Sequence, residues 1–511
     1  MSKKVYLRQI IIYSYCFGIA AHGMMMFNKL SWHDDIAYGQ LLSFSVAIGL
    51  GRWLRAVLAY AVAVITNGAN LSLPLFHGLL SIFFIALSAF ILIRIFCIEN
   101  ELLQIVLCGL LVTYPVVTST FGYMFTAPYY FFALFLAVFS VYYESLRNNT
   151  VSFLVSSICI CCSLGIYQAY FPVSASCFVL LLIVSIIDER LDTVEAIFYK
   201  GMRYLYICIC GLAEYYIIWK LFLRLVNISA SSYQGLNSIG ATGIYDYIKG
   251  IGKAIFIFFL LYEKNGCDLF PMRGATVLEG AVIILSAGIS LMFIIQKMRK
   301  DIFKGLMLAC LIGLLPLCFN LICLMCATTP DSRVHTLMLY ADSMLYVYCI
   351  WLLQYMIRNK TRSVRTVYRV FSVTLCLLLL MNVYFANACY LKAELIQEQT
   401  LSEMTVLVTR IKSVEQYKDE LPVAFVMTGN IDSTRTDNQA FDDFAIVPFD
   451  KYIDPYSMER NMVNFLSNWC GFSPQYADAG HFVKMKEVED MPSYPDDGSI
   501  RIIENTVVVK M

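Results

Sequence analysis

Residues 9–388 of the 511-residue chain are almost filled by apolar runs long enough to cross a bilayer. They fall near 9–27, 74–96, 101–120, 127–143, 151–165, 169–187, 204–226, 277–296, 304–326, 337–357 and 367–388, about eleven in all. Lipid offers no partner to a backbone N–H or C=O, so solid apolar runs of this length must be helical rather than alternating barrel strands. The expected class is a polytopic α-helical membrane protein with about eleven transmembrane helices. The first run follows Lys3, Lys4 and Arg8 as a signal peptide would. It is longer than a signal core and has no convincing cleavage site, so it reads as a retained span.

Charge then sets orientation. With the N-terminus cytoplasmic, the inner segments hold seventeen Lys and Arg residues and the outer loops eight, with the densest cluster, 358–369, inside. The same rule decides an ambiguous stretch, 36–66. Taken as one span it would bury Arg52 and Arg55 and invert every later loop. It is placed outside, as helices lying along the membrane surface. The exterior loops are then 28–73, 227–276, which is rich in Ser, Gly and Tyr, and 327–336.

An odd number of spans also sends the tail outside, to the extracytoplasmic face of the plasma membrane. Residues 390–511 carry 20 acidic and 11 basic residues. They contain an amphipathic stretch at 393–417, a β-type run at 422–428, a helical pattern at 455–469 and a closing hairpin turning at Glu504 and Asn505. A small soluble α/β domain follows from that order. The chain as a whole is 59% hydrophobic and carries a net charge of only +1, so no affinity for nucleic acid is expected. Most of the 18 cysteines lie in apolar runs and behave as small hydrophobes. Cys267 and Cys470 lie in polar segments, where one disulfide between them stays open.

Ser31, Trp32, His33, Asp34 and Asp35 follow the first span directly. Two adjacent carboxylates beside a membrane can supply a general base, although neighbours do not project in parallel and only one would face a reacting group. A solvated loop start is the alternative. Gly51, Arg52, Trp53 and Arg55 come next; such arginines grip a phosphate bidentately or simply snorkel beside an interfacial tryptophan. Arg333 and His335, beside Asp331, either neutralise a phosphate or flank a helix end. Glu214 lies within a span without an evident partner. Tyr114-Pro115, Thr126 to Pro128 and Tyr167-Gln168 all fall at outer ends of spans, where together they would line an exterior-facing cavity. No nucleotide-binding glycine loop, HExxH or nucleophile elbow is present, and the inner loops are too short to bind a nucleotide sugar. An exterior substrate would therefore arrive on lipid.

The order of these short motifs, together with the closing stretch 491–510, resembles the type II glucosyltransferase (Gtr) family, which modifies bacterial O-antigens and related surface glycans and is similar to the GT-C class of membrane glycosyltransferases. The resemblance implies a GT-C-like transmembrane domain over 1–389 and an extracytoplasmic domain over 390–511. It implies transfer of a hexose, glucose first, from a polyprenyl-phosphate carrier to a surface polysaccharide, working with a polyprenyl-phosphate sugar synthase and a flippase. Asp34 or Asp35 would be the catalytic carboxylate of the first exterior loop, the base for the acceptor hydroxyl. Arg52, Arg333, His335, Tyr167, Gln168 and Trp53 would bind substrate or phosphate, with no metal or other cofactor expected. A lipid-linked-sugar flippase, a polysaccharide polymerase or ligase and a membrane scaffold are the competing readings.

Overall fold

The computed structural model describes residues 6–30, 35, 44–67, 72–191, 193–233, 243–263, 267–325, 333–359, 365–427 and 459–511. The chain divides into two compact units, one of residues 1–28 and 40–387 and the other of residues 29–39 and 388–511.

The first unit is a helical bundle. Among the described residues, eight helices are long and apolar enough to cross a membrane, or nine if the bent pair Glu101–Thr113 and Pro115–Phe121 is one span. Two further runs expected to span form the shorter helices Thr150–Ile166, of 17 residues, and Met344–Arg358, of 15. Ala127–Arg147 packs against Pro74–Ile95 and Thr150–Ile166, Leu7–Phe27 packs on Pro74–Ile95 and Glu101–Thr113, and Val194–Val226 packs on Thr150–Ile166. Apolar side chains are as comfortable in lipid as against each other, so close backbone approach drives such packing. A Cβ at Gly211 would stand 3.0 Å from the Ser157 carbonyl oxygen, which shows how near those two helices come.

The bend of 40° in the 101–121 pair has a specific cause. Pro115 has no N–H for the Leu111 carbonyl and ends the helix at Tyr114. The orphaned carbonyls are capped by side chains from elsewhere: the Tyr340 hydroxyl donates to Leu111 O at 2.9 Å and His22 Nε2 to Val112 O at 2.9 Å. A broken helix is tolerated inside a bundle only when its freed groups are met in this way.

Residues 44–65, expected to lie as surface helices, form Phe44–Gly49 and Trp53–Ile65. Thirteen residues in the second reach about 20 Å, short of the bilayer's hydrocarbon core. The 227–276 segment, read from its Ser, Gly and Tyr content as loop, contains the helix Ile244–Leu260. Its buried residues Gly250, Ala254, Ile257 and Phe258 fall on one helical face, a pattern that two glycines and two lysines obscure in the sequence. The short strands β1 (Tyr262–Glu263) and β2 (Cys267–Asp268) pair antiparallel just after it.

The two ends of the bundle differ in chemistry. At one end Arg203 Nε and Nη2 grip the buried Glu144 at 2.6 and 3.1 Å, Lys297 reaches Glu189 at 2.9 Å, and Arg358 pairs with Asp188. Tyr114, Tyr130, Tyr167, Gln168 and Tyr340 lie at the other ends of their helices, against one another or the 47–53 turn.

The second unit contains the C-terminal half of the 48-residue helix Arg365–Lys412, about 72 Å long, and the helix Glu459–Cys470. The sequence shows separate patterns at 367–388 and 393–417, but no glycine, proline or cap interrupts 388–393, so the helix runs through. Strands β3 (Val423–Val426), β4 (Ile500–Ile503) and β5 (Thr506–Lys510) form a sheet in the order β3-β5-β4, parallel and then antiparallel. Val423, Phe425, Val507 and Val509 face Met404, Leu407, Met462 and Phe465, while Ala424, Val426 and Val508 face Phe482, Val488 and Met491. Burial on both faces explains why β3 and the Val507–Val509 stretch of β5 read as unbroken apolar runs. The hairpin turns at Glu504 and Asn505, with φ of +48° and +58°, the left-handed pair that a two-residue turn demands.

Candidate functional site

The turn that carries Arg52 is held by its backbone. Gly51 has φ +74°, and a Cβ there would meet the Tyr215 hydroxyl and stand 2.6 Å from Gln168 Nε2, so only glycine fits. Gln168 Nε2 donates to Leu50 O at 2.8 Å and to the Tyr215 hydroxyl at 2.9 Å. Trp219 Nε1 donates to Ile48 O at 2.8 Å, and the Ser231 amide to Gly49 O at 2.9 Å. Three consecutive residues, Ile48, Gly49 and Leu50, are thereby pinned to three other parts of the chain.

Arg52 leaves this turn onto a pair of tyrosines. The Tyr130 and Tyr167 rings stack at 4.1 Å, the guanidinium lies 4.9 Å from the Tyr167 centroid, and its Nη1 donates to the Tyr130 hydroxyl at 3.0 Å. The ring face and one hydrogen bond hold the fork in place. Arg52 Nε has no partner among the described residues. Tyr167 thus supports the arginine from below, and Gln168 serves as the clamp of the turn. Trp53 is buried, stacked on Phe222 at 5.7 Å and pressed onto Gly165, where a Cβ would come within 2.5 Å of its ring. Arg55 is fully buried beside the Phe125 ring.

Arg333 and His335 are half-buried immediately before the 3-10 turn Thr336–Met338, which packs on Pro115–Phe121. The rings continue from there: Tyr167 to Tyr170 at 6.0 Å, Tyr170 to Tyr340 at 5.9 Å, and Tyr340 to Tyr114 at 6.1 Å. The motifs at 51–53, 114–115 and 167–168 therefore meet in one aromatic network within the first unit, which Tyr130, just beyond the 126–128 motif, joins.

Asp34 lies outside the described residues. Asp35, in the second unit, is 1% exposed. Its Oδ2 accepts from Lys29 Nζ at 2.5 Å, and its Oδ1 has no partner among the described residues. Burial pushes the Lys29 ammonium below its usual pKa, and the Asp35 carboxylate works against that shift. Glu214, which showed no partner in the sequence, accepts from the Ser157 hydroxyl at 2.9 Å. Cys267 and Cys470 are thiols rather than halves of a disulfide.

Sequence reasoning missed Tyr130, Tyr215, Lys29 and a group of buried polar residues, Glu279, Asn320 and Asp342. Tyrosines at span ends are too common to single out. Glu279 did leave a signal, an acid inside an apolar run.

One family model, described as glucosyl transferase GtrII, matches residues 23–348, which include every part of the Arg52 network and end before the second sheet begins. No curated protein and no solved structure matches the chain.

Proposed function

The chain belongs to the glucosyl transferase GtrII family and is a membrane-embedded glucosyltransferase, and from that premise we propose that it moves glucose from a polyprenyl-phosphate carrier to a surface polysaccharide on the extracytoplasmic face. The observation that carries this reading is the Arg52 site: a cation placed over the stacked Tyr130 and Tyr167 rings, with Nε unfilled, on a turn that three hydrogen bonds from other parts of the chain hold. Such a group suits a phosphate leaving group, whose charge grows as the glycosidic bond breaks. Arg333 and His335 add to it from the neighbouring turn.

In this mechanism the acceptor hydroxyl oxygen attacks the anomeric carbon. The bond from that carbon to the carrier phosphate breaks, its electron pair leaves on the phosphate, and the hydroxyl proton passes to Asp34 or Asp35. One displacement inverts the anomeric centre. Lys29 occupies one oxygen of Asp35 and leaves the other for the hydroxyl. The positive-inside rule places the Glu144, Arg203, Lys297 and Arg358 end in the cytoplasm and the Arg52 end outside. The polysaccharide acceptor, a sugar-carrier synthase and a flippase are its partners.

The test is purified protein given labelled glucosyl polyprenyl phosphate and acceptor glycan. Removal of the general base, by Asp34→Asn or Asp35→Asn, is expected to lower turnover about 10²–10⁴-fold in one of the two. Arg52→Lys keeps the charge and loses the fork, and is expected to lower kcat/KM about 10–10²-fold. Equal transfer by wild type and all three variants rejects the assignment. Transfer only from diphosphate-linked chains turns the reading toward a polymerase.

A further inference from the structure

Asn320, Asp342 and Glu279 lie in the first unit, 0%, 7% and 4% exposed, in a bundle made for lipid. Asn320 Nδ2 donates to Asp342 Oδ1 at 2.9 Å, which turns both side chains so that two acceptors remain, Asp342 Oδ2 and Asn320 Oδ1. Neither has a partner among the described residues. A buried acceptor left open costs about 1–3 kcal/mol, and more when it is charged. Intramembrane acids kept at that cost mark a ligand or a pathway.

The surroundings narrow the ligand. No cation is ion-paired with Asp342 or Glu279 among the described residues, so a phosphate would be repelled. Glu279 is already engaged by the Tyr346 hydroxyl at 3.0 Å, and no group of three metal-ligating side chains occurs among the described residues. That is too few oxygens for a hard divalent cation, which takes six or more. What fits is a neutral molecule rich in donors. Asp342 also follows Tyr340, whose ring touches Tyr114 and Tyr170, and Tyr170 touches the Tyr167 that carries Arg52. The open acceptors are thus joined through two rings to the platform of the phosphate-gripping arginine.

We propose that Asp342 and Asn320 form a hexose-recognition subsite, in which Asp342 Oδ2 and Asn320 Oδ1 accept from neighbouring hydroxyls of one sugar ring. This rests on the glucosyltransferase reading and adds to it the residues that read the sugar. The sugar is that of the donor or the terminal residue of the acceptor, which share this chemistry.

The experiment compares wild type, Asp342→Asn and Asn320→Leu with glucosyl polyprenyl phosphate and its 2-, 3-, 4- and 6-deoxy forms, measuring KM for donor and for acceptor. A donor-sugar subsite predicts that wild type loses about 10–10²-fold in kcat/KM on one or two deoxy donors while the variants treat those donors and the parent alike. An acceptor-sugar subsite predicts unchanged donor discrimination and a rise of about 10–10²-fold in acceptor KM in the variants. Variants that keep wild-type discrimination and both KM values overturn the subsite. Because either variant can fail to fold, the wild-type protein is also treated with dicyclohexylcarbodiimide and Asp342 modification is followed by mass spectrometry. Glucosyl polyprenyl phosphate or acceptor glycan is expected to slow modification, and equal labelling with both and with neither overturns the proposal. A wild type that transfers nothing overturns the glucosyltransferase reading and leaves the carbodiimide arm to decide the subsite alone.

Discussion

Arg52 owes its setting to a residue without a side chain. Gly51 places the turn at φ +74° and lets Tyr215 and Gln168 approach the backbone where a methyl group would stand. Gly51→Ala adds both strain in the left-handed region and a steric overlap, so the turn and Arg52 must shift. A displacement of about 1 Å at a positioning group costs about 10²-fold in rate, and that loss in transfer activity is expected with the protein still folded. Tyr215→Phe in the same chain removes the hydroxyl that the methyl meets and is expected to restore part of the rate; the readout is initial rate in the labelled-donor assay. The motif of Gly51, Arg52 and Trp53 was visible in the sequence as a cation beside tryptophan and glycine in a stretch read as lying on the surface. The partners were not: Tyr130 is 78 residues from Arg52, and Gln168 is 118 from Leu50. Asp35 illustrates the same limit at shorter range. Its position after the first span pointed to chemistry, yet nothing in that position announced that Lys29, six residues earlier, would take one of its oxygens.

At the scale of elements, the 101–121 run is where pattern and structure part most clearly. Apolar character over 20 residues argues for one straight span, and Pro115 argues for a stop. The bundle satisfies both, because Tyr340 and His22 cap the carbonyls that the break frees. Tyr340→Phe leaves Leu111 O buried without its donor and is expected to destabilise the protein by about 1–3 kcal/mol, seen as a lower thermal midpoint in detergent. An unchanged midpoint means that another donor replaces the hydroxyl. The helix Ile244–Leu260 shows the opposite case, a local pattern diluted by glycine and lysine that tertiary burial of one face nonetheless organises. The closing hairpin was legible to the residue, since a two-residue Glu-Asn turn between two short apolar strands leaves the chain little choice.

For the whole molecule, the charge of the two bundle ends yields a topology that can be measured. A phosphatase that folds only outside the cytoplasm, fused after Met511, is expected to be active, and a green fluorescent protein fused there is expected to stay dark. The reverse pair of results inverts the orientation and moves the Arg52 end inside. Membrane residence and a mainly helical bundle were determined by the sequence alone, because the bilayer's demand that every backbone group be paired within its own segment turns apolar length directly into helix. A broad class of chemistry was likewise readable from the order of short motifs, and the family match bears out that class. The site was decided only by the tertiary structure. Stacking Tyr167 on Tyr130 beneath Arg52, or turning Asn320 toward Asp342, depends on which helices touch and at what depth. Those contacts come from packing small and large side chains across segments far apart in the chain, and that complementarity has no periodicity for a sequence to display.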